Sequence, residues 1–104
     1  MNPGYDRELA RLKNFDFALS DHGFPVLKGT FDYGGSGQGF GYVVDTDFIT
    51  AFLRAVGVNE LQQVNGKTVW VTHSNFQIFK IEPLMKGDGE TFDVTEWVKA
   101  KQAL

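Results

Sequence analysis

Apolar positions recur at every second residue through much of the first half of this chain. Phe15, Phe17 and Leu19 fall on one side, with Asn14, Asp16 and Ser20 among the polar positions opposite, the alternation of a half-buried strand. After the turn signal Asp21-His22-Gly23, a second strand runs from Val26 to Tyr33, with Leu27, Phe31 and Tyr33 opposed to Lys28, Thr30 and Asp32. A third sets Phe40, Tyr42 and Val44 against Gly39, Gly41 and Val43. Three strands joined by short connections predict an antiparallel meander. Ahead of it, Leu9 and Leu12 stand at helical spacing behind Asp6, so residues 1–12 predict a loose arm or a short helix.

The period lengthens at Asp45. Phe48, Ile49, Phe52, Leu53 and Val56 form one stripe of a helix over Asp47–Val56, with Asp45 or Thr46 as N-cap and Gly57 as its stop. Asn59 and Gln62 are spaced to cap a further turn carrying Leu61 and Val64. Asn65-Gly66 signals a turn, and Thr68–Thr72 with Phe76–Glu82 predict a hairpin around His73-Ser74-Asn75. Beyond the Lys86-Gly87-Asp88-Gly89 turn, Asp93 and Glu96 have capping-box spacing, while Phe92 and Trp97 occupy hydrophobic-staple positions; this last helix ends near Lys101. The pattern predicts one α+β domain over residues 1–104: an antiparallel sheet of about five strands, the main helix on one face and a short C-terminal helix.

Composition sharpens this outline. Ten Phe, three Tyr and two Trp in 104 residues predict an aromatic-rich core. A formal charge of −3 gives no electrostatic drive toward phosphate backbones or anionic lipid. No apolar run approaches the roughly 20 residues of a membrane helix, and the N-terminus lacks a basic region followed by an apolar one. The expectation is a cytoplasmic protein with no membrane partner.

Catalytic candidates are sparse. Without cysteine there are no disulfides, thiolate metal sites or cysteine nucleophiles. His22 and His73 are the only histidines, each in a predicted turn. No nucleophile, base and orienter come from separate elements, and no histidines have metal-ligand spacing. The expectation is a protein that is not an enzyme, with no catalytic residue, no metal and no cofactor.

Five glycines between Gly34 and Gly41 invite a phosphate-binding reading. A Walker loop needs a Gly-Lys-Ser or Gly-Lys-Thr ending, and no lysine lies between Lys28 and Lys67; a dinucleotide fingerprint needs a helix where a strand follows here. Gln38-Gly39-Phe40-Gly41-Tyr42-Val43-Val44-Asp45 resembles the RNP1 octamer of RNA-recognition motifs, which stacks bases on exposed strand aromatics. It departs from that octamer at Gln38, where Lys or Arg is usual, and at Asp45, where an aromatic is usual. The required upstream helix is also replaced by a hairpin. Phe40 is read first as core, matched by Phe48 and Phe52. Tyr33 and Tyr42 are suited to an edge, where hydroxyls reach water. Trp70, between Thr68 and Thr72 on one strand face, is either half-exposed or part of a partner surface. An excess of glycine beyond what a turn needs points either to mobility before binding or to backbone approached closely by a partner. The candidate partner-binding residues are therefore Tyr33, Gln38, Tyr42 and Trp70.

In order, Asp21-His22-Gly23, the Gly-Ser-Gly-Gln-Gly-Phe-Gly-Tyr loop, the helix Asp47–Val56, Gly57-Val58-Asn59-Glu60-Leu61, Asn65-Gly66-Lys67-Thr68-Val69-Trp70-Val71, Ile78–Ile81 and Thr91-Phe92-Asp93 resemble a family of small phage and prophage proteins. Leu61-Gln62 stands where that family often has Trp-Glu, and Phe-Gly-Tyr where Phe-Gly-Gly-Tyr is common. The resemblance implies a phage-derived accessory protein acting in the cytoplasm of a host bacterium by binding and modulating a host protein, including defence components. It carries over no catalytic residue. The alternative is a single-stranded nucleic-acid-binding module using the Phe40/Tyr42 strand, disfavoured by the acidic pI of about 5.2.

Overall fold

The structure, a computed structural model, describes residues 6–74 and 77–102. Six strands form one antiparallel sheet: β1 (Asp6–Leu19), β2 (Pro25–Asp32), β3 (Gly37–Val43), β4 (Thr68–His73), β5 (Ile78–Pro83) and β6 (Phe92–Asp93). Their spatial order is β3-β2-β1-β4-β5-β6. Helix α1 (Thr46–Val56) connects the meander to a 3-10 turn at Leu61–Val64, and α2 (Val94–Gln102) closes the described chain. The α+β class stands, with one strand more than expected: Phe92 and Asp93 pair with Ile81 and Lys80 before α2 begins. Within the predicted second hairpin, Asn75 and Phe76 lie outside the described residues, as does 1–5 of the predicted arm.

Residues 6–12 correct the sequence reading. They are neither arm nor helix but the first half of β1, the strand paired with β2 on one side and β4 on the other. Leu9 and Leu12 do not share a face: Leu12 and Ala10 are buried, whereas Leu9 is exposed. Ala10 is the small inward residue that completes a period-two pattern, and its short side chain makes that pattern easy to miss.

The alternation then changes phase. Register shifts between Lys13 and Asp16, and Asn14 takes φ 58°, a bulge that turns Phe15 onto the same inner face as Leu12. Asn65 secures it: its Oδ1 accepts from the Phe15 N–H at 2.7 Å and its Nδ2 donates to the Phe15 carbonyl at 3.3 Å. Across from the bulge, Gly29 has no side chain because the Phe15 ring occupies that space.

Inside, Phe15, Phe31, Phe40, Phe48 and Phe52 form the centre of the core. Phe15 and Phe31 meet edge to face at 5.4 Å, as do Phe31 and Phe40 at 5.5 Å. Helix α1 delivers Phe48 and Phe52 because its start and stop are both fixed. Asp45 Oδ1 accepts from the Phe48 N–H at 2.9 Å, and Gly57, at φ 85°, donates to the Leu53 carbonyl at 2.8 Å. Helix α2 starts with Asp93 Oδ1 accepting from the Glu96 N–H at 2.9 Å. The rings expected to staple it both rest on Phe48, Phe92 at 4.9 Å and Trp97 at 4.7 Å. The 3-10 turn is held by Gln63, whose Oε1 accepts from Glu60 and Asn59 N–H groups, rather than by an Asn59–Gln62 pair.

Candidate partner-binding surface

Tyr33, Gln38 and Tyr42 come together on the inner face at the β3 side of the sheet, and Trp70 points to the opposite face. The sheet curls until the end of β2 meets the end of β4. There Tyr33 stacks on His73, donates its hydroxyl proton to Gln38 Oε1 at 2.7 Å, and Gln38 Nε2 donates to the Ser74 carbonyl at 3.0 Å. His73 Nε2 lies 2.7 Å from Glu8 Oε2. Burial, reinforced by the Glu8 charge, pushes the Tyr33 phenol well above its ordinary range. Tyr42 is half-buried against Phe40 and Phe48, and burial raises its phenol too. Tyr33 and Gln38, with His73 and the Ser74 carbonyl, latch the curl of the sheet. His73, read from sequence as a turn residue, is instead the buried last residue of β4.

Trp70 lies beneath Arg7, whose guanidinium is 4.1 Å from the ring centroid and whose Nε reaches Glu82 Oε1 at 3.1 Å. This cross-strand stack on the uncovered face buries part of the indole.

Phe40 is only 6% exposed. The octamer that resembles RNP1 thus turns its central ring into the core, because Phe40 alternates in phase with Tyr42 and faces α1.

Strand β3 holds a further feature. Tyr33 donates to the Ser36 carbonyl and Val44 to the Pro25 carbonyl; with the register between them, Gln38, Phe40 and Tyr42 exchange hydrogen bonds with β2. Gly37, Gly39, Gly41 and Val43 consequently aim their N–H and C=O groups at the far edge, where no described strand pairs. All four are exposed. A crevice of about 190 Å³ runs beside Gln38–Tyr42 and is bounded across from them by Gln77 and Ile78.

At the end of the meander that carries the β1–β2 turn, large apolar residues reach solvent. Leu19 is 76% exposed, Phe24 57%, Val43 53% and Phe17 42%. Leu19 pairs with Pro25 and Val43 with Val26, which places these residues at one end of three adjacent strands, Phe17 and Leu19 on the face of Leu27 and Val43 on the opposite face. Sequence periodicity assigned Phe17 and Leu19 to the core stripe. The signal that separates them from Phe15 is their nearness to the Asp21-His22-Gly23 turn, beyond the reach of α1.

Among the described residues, no group of three or more His, Cys, Asp or Glu is gathered to hold a metal ion. No described helix is long and apolar enough to cross a membrane. No family model matches this chain, nor does any curated protein or solved structure.

Proposed function

We infer that this protein is a phage- or prophage-type accessory protein that binds a host bacterial protein and modulates it, with defence-system components among the targets. The exposed group Phe17, Leu19, Phe24 and Val43 carries the binding part of this reading. Large apolar side chains exposed on both faces of one sheet end are more than scattered surface hydrophobes, and such clusters mark protein contacts. The phage setting rests on the ordered motifs from Asp21 to Trp97. Stacking of nucleic-acid bases on Phe40 is less well supported, since that ring is enclosed.

Affinity capture from a bacterial lysate, compared between the native chain and Leu19→Asp/Phe24→Asp, tests the reading. Both positions are exposed, so the variant should melt like the native protein and lose the captured host protein. Equal capture by the two proteins would remove the patch from the interface, and tight binding of single-stranded RNA at physiological salt without protein capture would overturn the reading.

A further inference from the structure

The edge of β3 lacks the devices that ordinarily keep a strand edge from pairing. Between Gly37 and Val43 there is no charged residue, no proline and no bulge. Every second residue nevertheless directs its peptide groups outward, as the β2–β3 register requires.

The glycines on this edge are not explained by the fold. A Cβ at Gly39 or Gly41 meets nothing within 4 Å, and neither has the positive φ that favours glycine. Strand interiors are weakened by glycine, so side chains here would favour the isolated domain. Their absence leaves the outward peptide groups of Gly39 and Gly41 uncovered from the outer face, along the crevice that Gln77 and Ile78 bound on its other side.

Two neighbours define what fits. Lys28 stands opposite Gly41 in the ladder, is exposed, and has no ion pair among the described residues. Asp16 stands opposite Lys28 on β1, while on the β3 side Gly41 puts no side chain between Lys28 and the next strand position. At the end of the same edge, Val43 and Phe24 offer apolar surface to whatever lies there.

We propose that the β3 edge accepts an extended segment of the host protein as an added antiparallel strand, with a carboxylate facing Lys28 across Gly41 and an apolar residue against Val43 and Phe24. Backbone pairing to Gly39, Gly41 and Val43 holds the segment, and the two neighbours select its sequence. This deepens the protein-binding reading above and rests on it.

A random peptide library panned on the immobilised full-length protein supplies the probe, and the selected peptide is then titrated while amide resonances are followed. The expected peptides carry an acidic residue next to an apolar one in an extended pattern. Their binding should protect the Gly39, Gly41 and Val43 amides from exchange. Gly39→Pro removes one outward N–H without touching the β2 ladder, and should weaken the peptide about tenfold or more. Lys28→Gln should weaken it about threefold. Should Gly39→Pro fail to fold, amide protection in the native protein still decides. The proposal is overturned if no peptide is selected, if the selected peptides leave those amides unprotected, or if they bind a folded Gly39→Pro variant equally well. It is also overturned if the protein sediments as a dimer that Gly39→Pro dissociates, because the occupant would then be a second copy. Host-protein capture that depends on Leu19 and Phe24 but survives Gly39→Pro would leave the function standing and remove only this mode of docking.

Discussion

Tyr33 and His73 lie ring on ring, 4.2 Å between centroids and 9° between planes, joining the last turn of the first hairpin pair to the end of β4. Through the Tyr33 hydroxyl the contact continues to Gln38 and the Ser74 carbonyl. A phenol held above its unfolded pKa near 10 supports the fold fully below that pH, and the support is lost as pH climbs through the folded-state value. Alkaline titration followed by circular dichroism should therefore show weakening that begins above about pH 10. Tyr33→Phe should cost about 1 kcal/mol at neutral pH through the lost hydrogen bond, and flatten this alkaline decline.

The opposite end of the pH scale acts on α1. Hydrogen bonding to the Lys101 ammonium, then to the Phe48 N–H, holds the Asp45 carboxyl below its ordinary range. Such a group supports the fold above an unfolded pKa near 3.9 and loses that support as pH falls through its lowered value. At neutral pH, Asp45→Ala should melt lower than Asp45→Asn, because asparagine keeps a capping oxygen while giving up the ion pair. Equal melting of the two variants would show that the cap contributes nothing measurable.

Glycine substitutions should divide by position. At Gly29 an added methyl overlaps the Phe15 ring, so Gly29→Ala should cost about 1 to 3 kcal/mol. Gly41→Thr, on the same hairpin, enters open space and should leave thermal melting unchanged or raise it. A stabilised Gly29→Ala would mean that the Phe15 ring can move aside.

Removal of either central ring of α1 should be severe. Phe48 and Phe52 are fully buried among other aromatics, and Phe48→Ala or Phe52→Ala should each cost about 3 to 5 kcal/mol in chemical denaturation. Native-like midpoints in both would exclude α1 from the core.

Sequence period revealed the meander, α1 and the second hairpin because each has a long apolar repeat or a strong local stop, such as Gly57. It failed over residues 6–13, where Ala10 is a weak apolar mark and the bulge at Asn14 breaks the alternation with Phe15. The two-residue β6 is too short to show any period at all. Of the candidate contact residues, Tyr33 and Gln38 are hydrogen-bonded to each other, while Tyr42 packs on Phe40 and Phe48. The latching of Tyr33 and Gln38 to His73 and Ser74 was not legible, since curl is a property of the whole sheet. Trp70, grouped with Tyr33, Gln38 and Tyr42 from sequence, lies on the opposite face, and its cover by Arg7 depends on the pairing of β1 with β4.

Asn65 offers a separate check on the bulge. Asn65→Ala removes both hydrogen bonds to the Phe15 backbone and should cost about 1 to 2 kcal/mol in thermal or urea unfolding. Asn65→Asp retains the acceptor for the Phe15 N–H and should lose less.

The first strand of the chain sits between the two hairpins rather than beside only one, and this orders the events of synthesis. As the polypeptide leaves the ribosome, β1 can pair at once with β2, and β2 with β3, but Leu9 must wait for Trp70 before its other edge is satisfied. Until β4 emerges, the nascent chain therefore displays one unpaired edge of β1 beside an incomplete aromatic core. Translation pauses placed between the meander and β4 would lengthen that exposed interval, and a chaperone that shields strand edges would shorten its risk of aggregation.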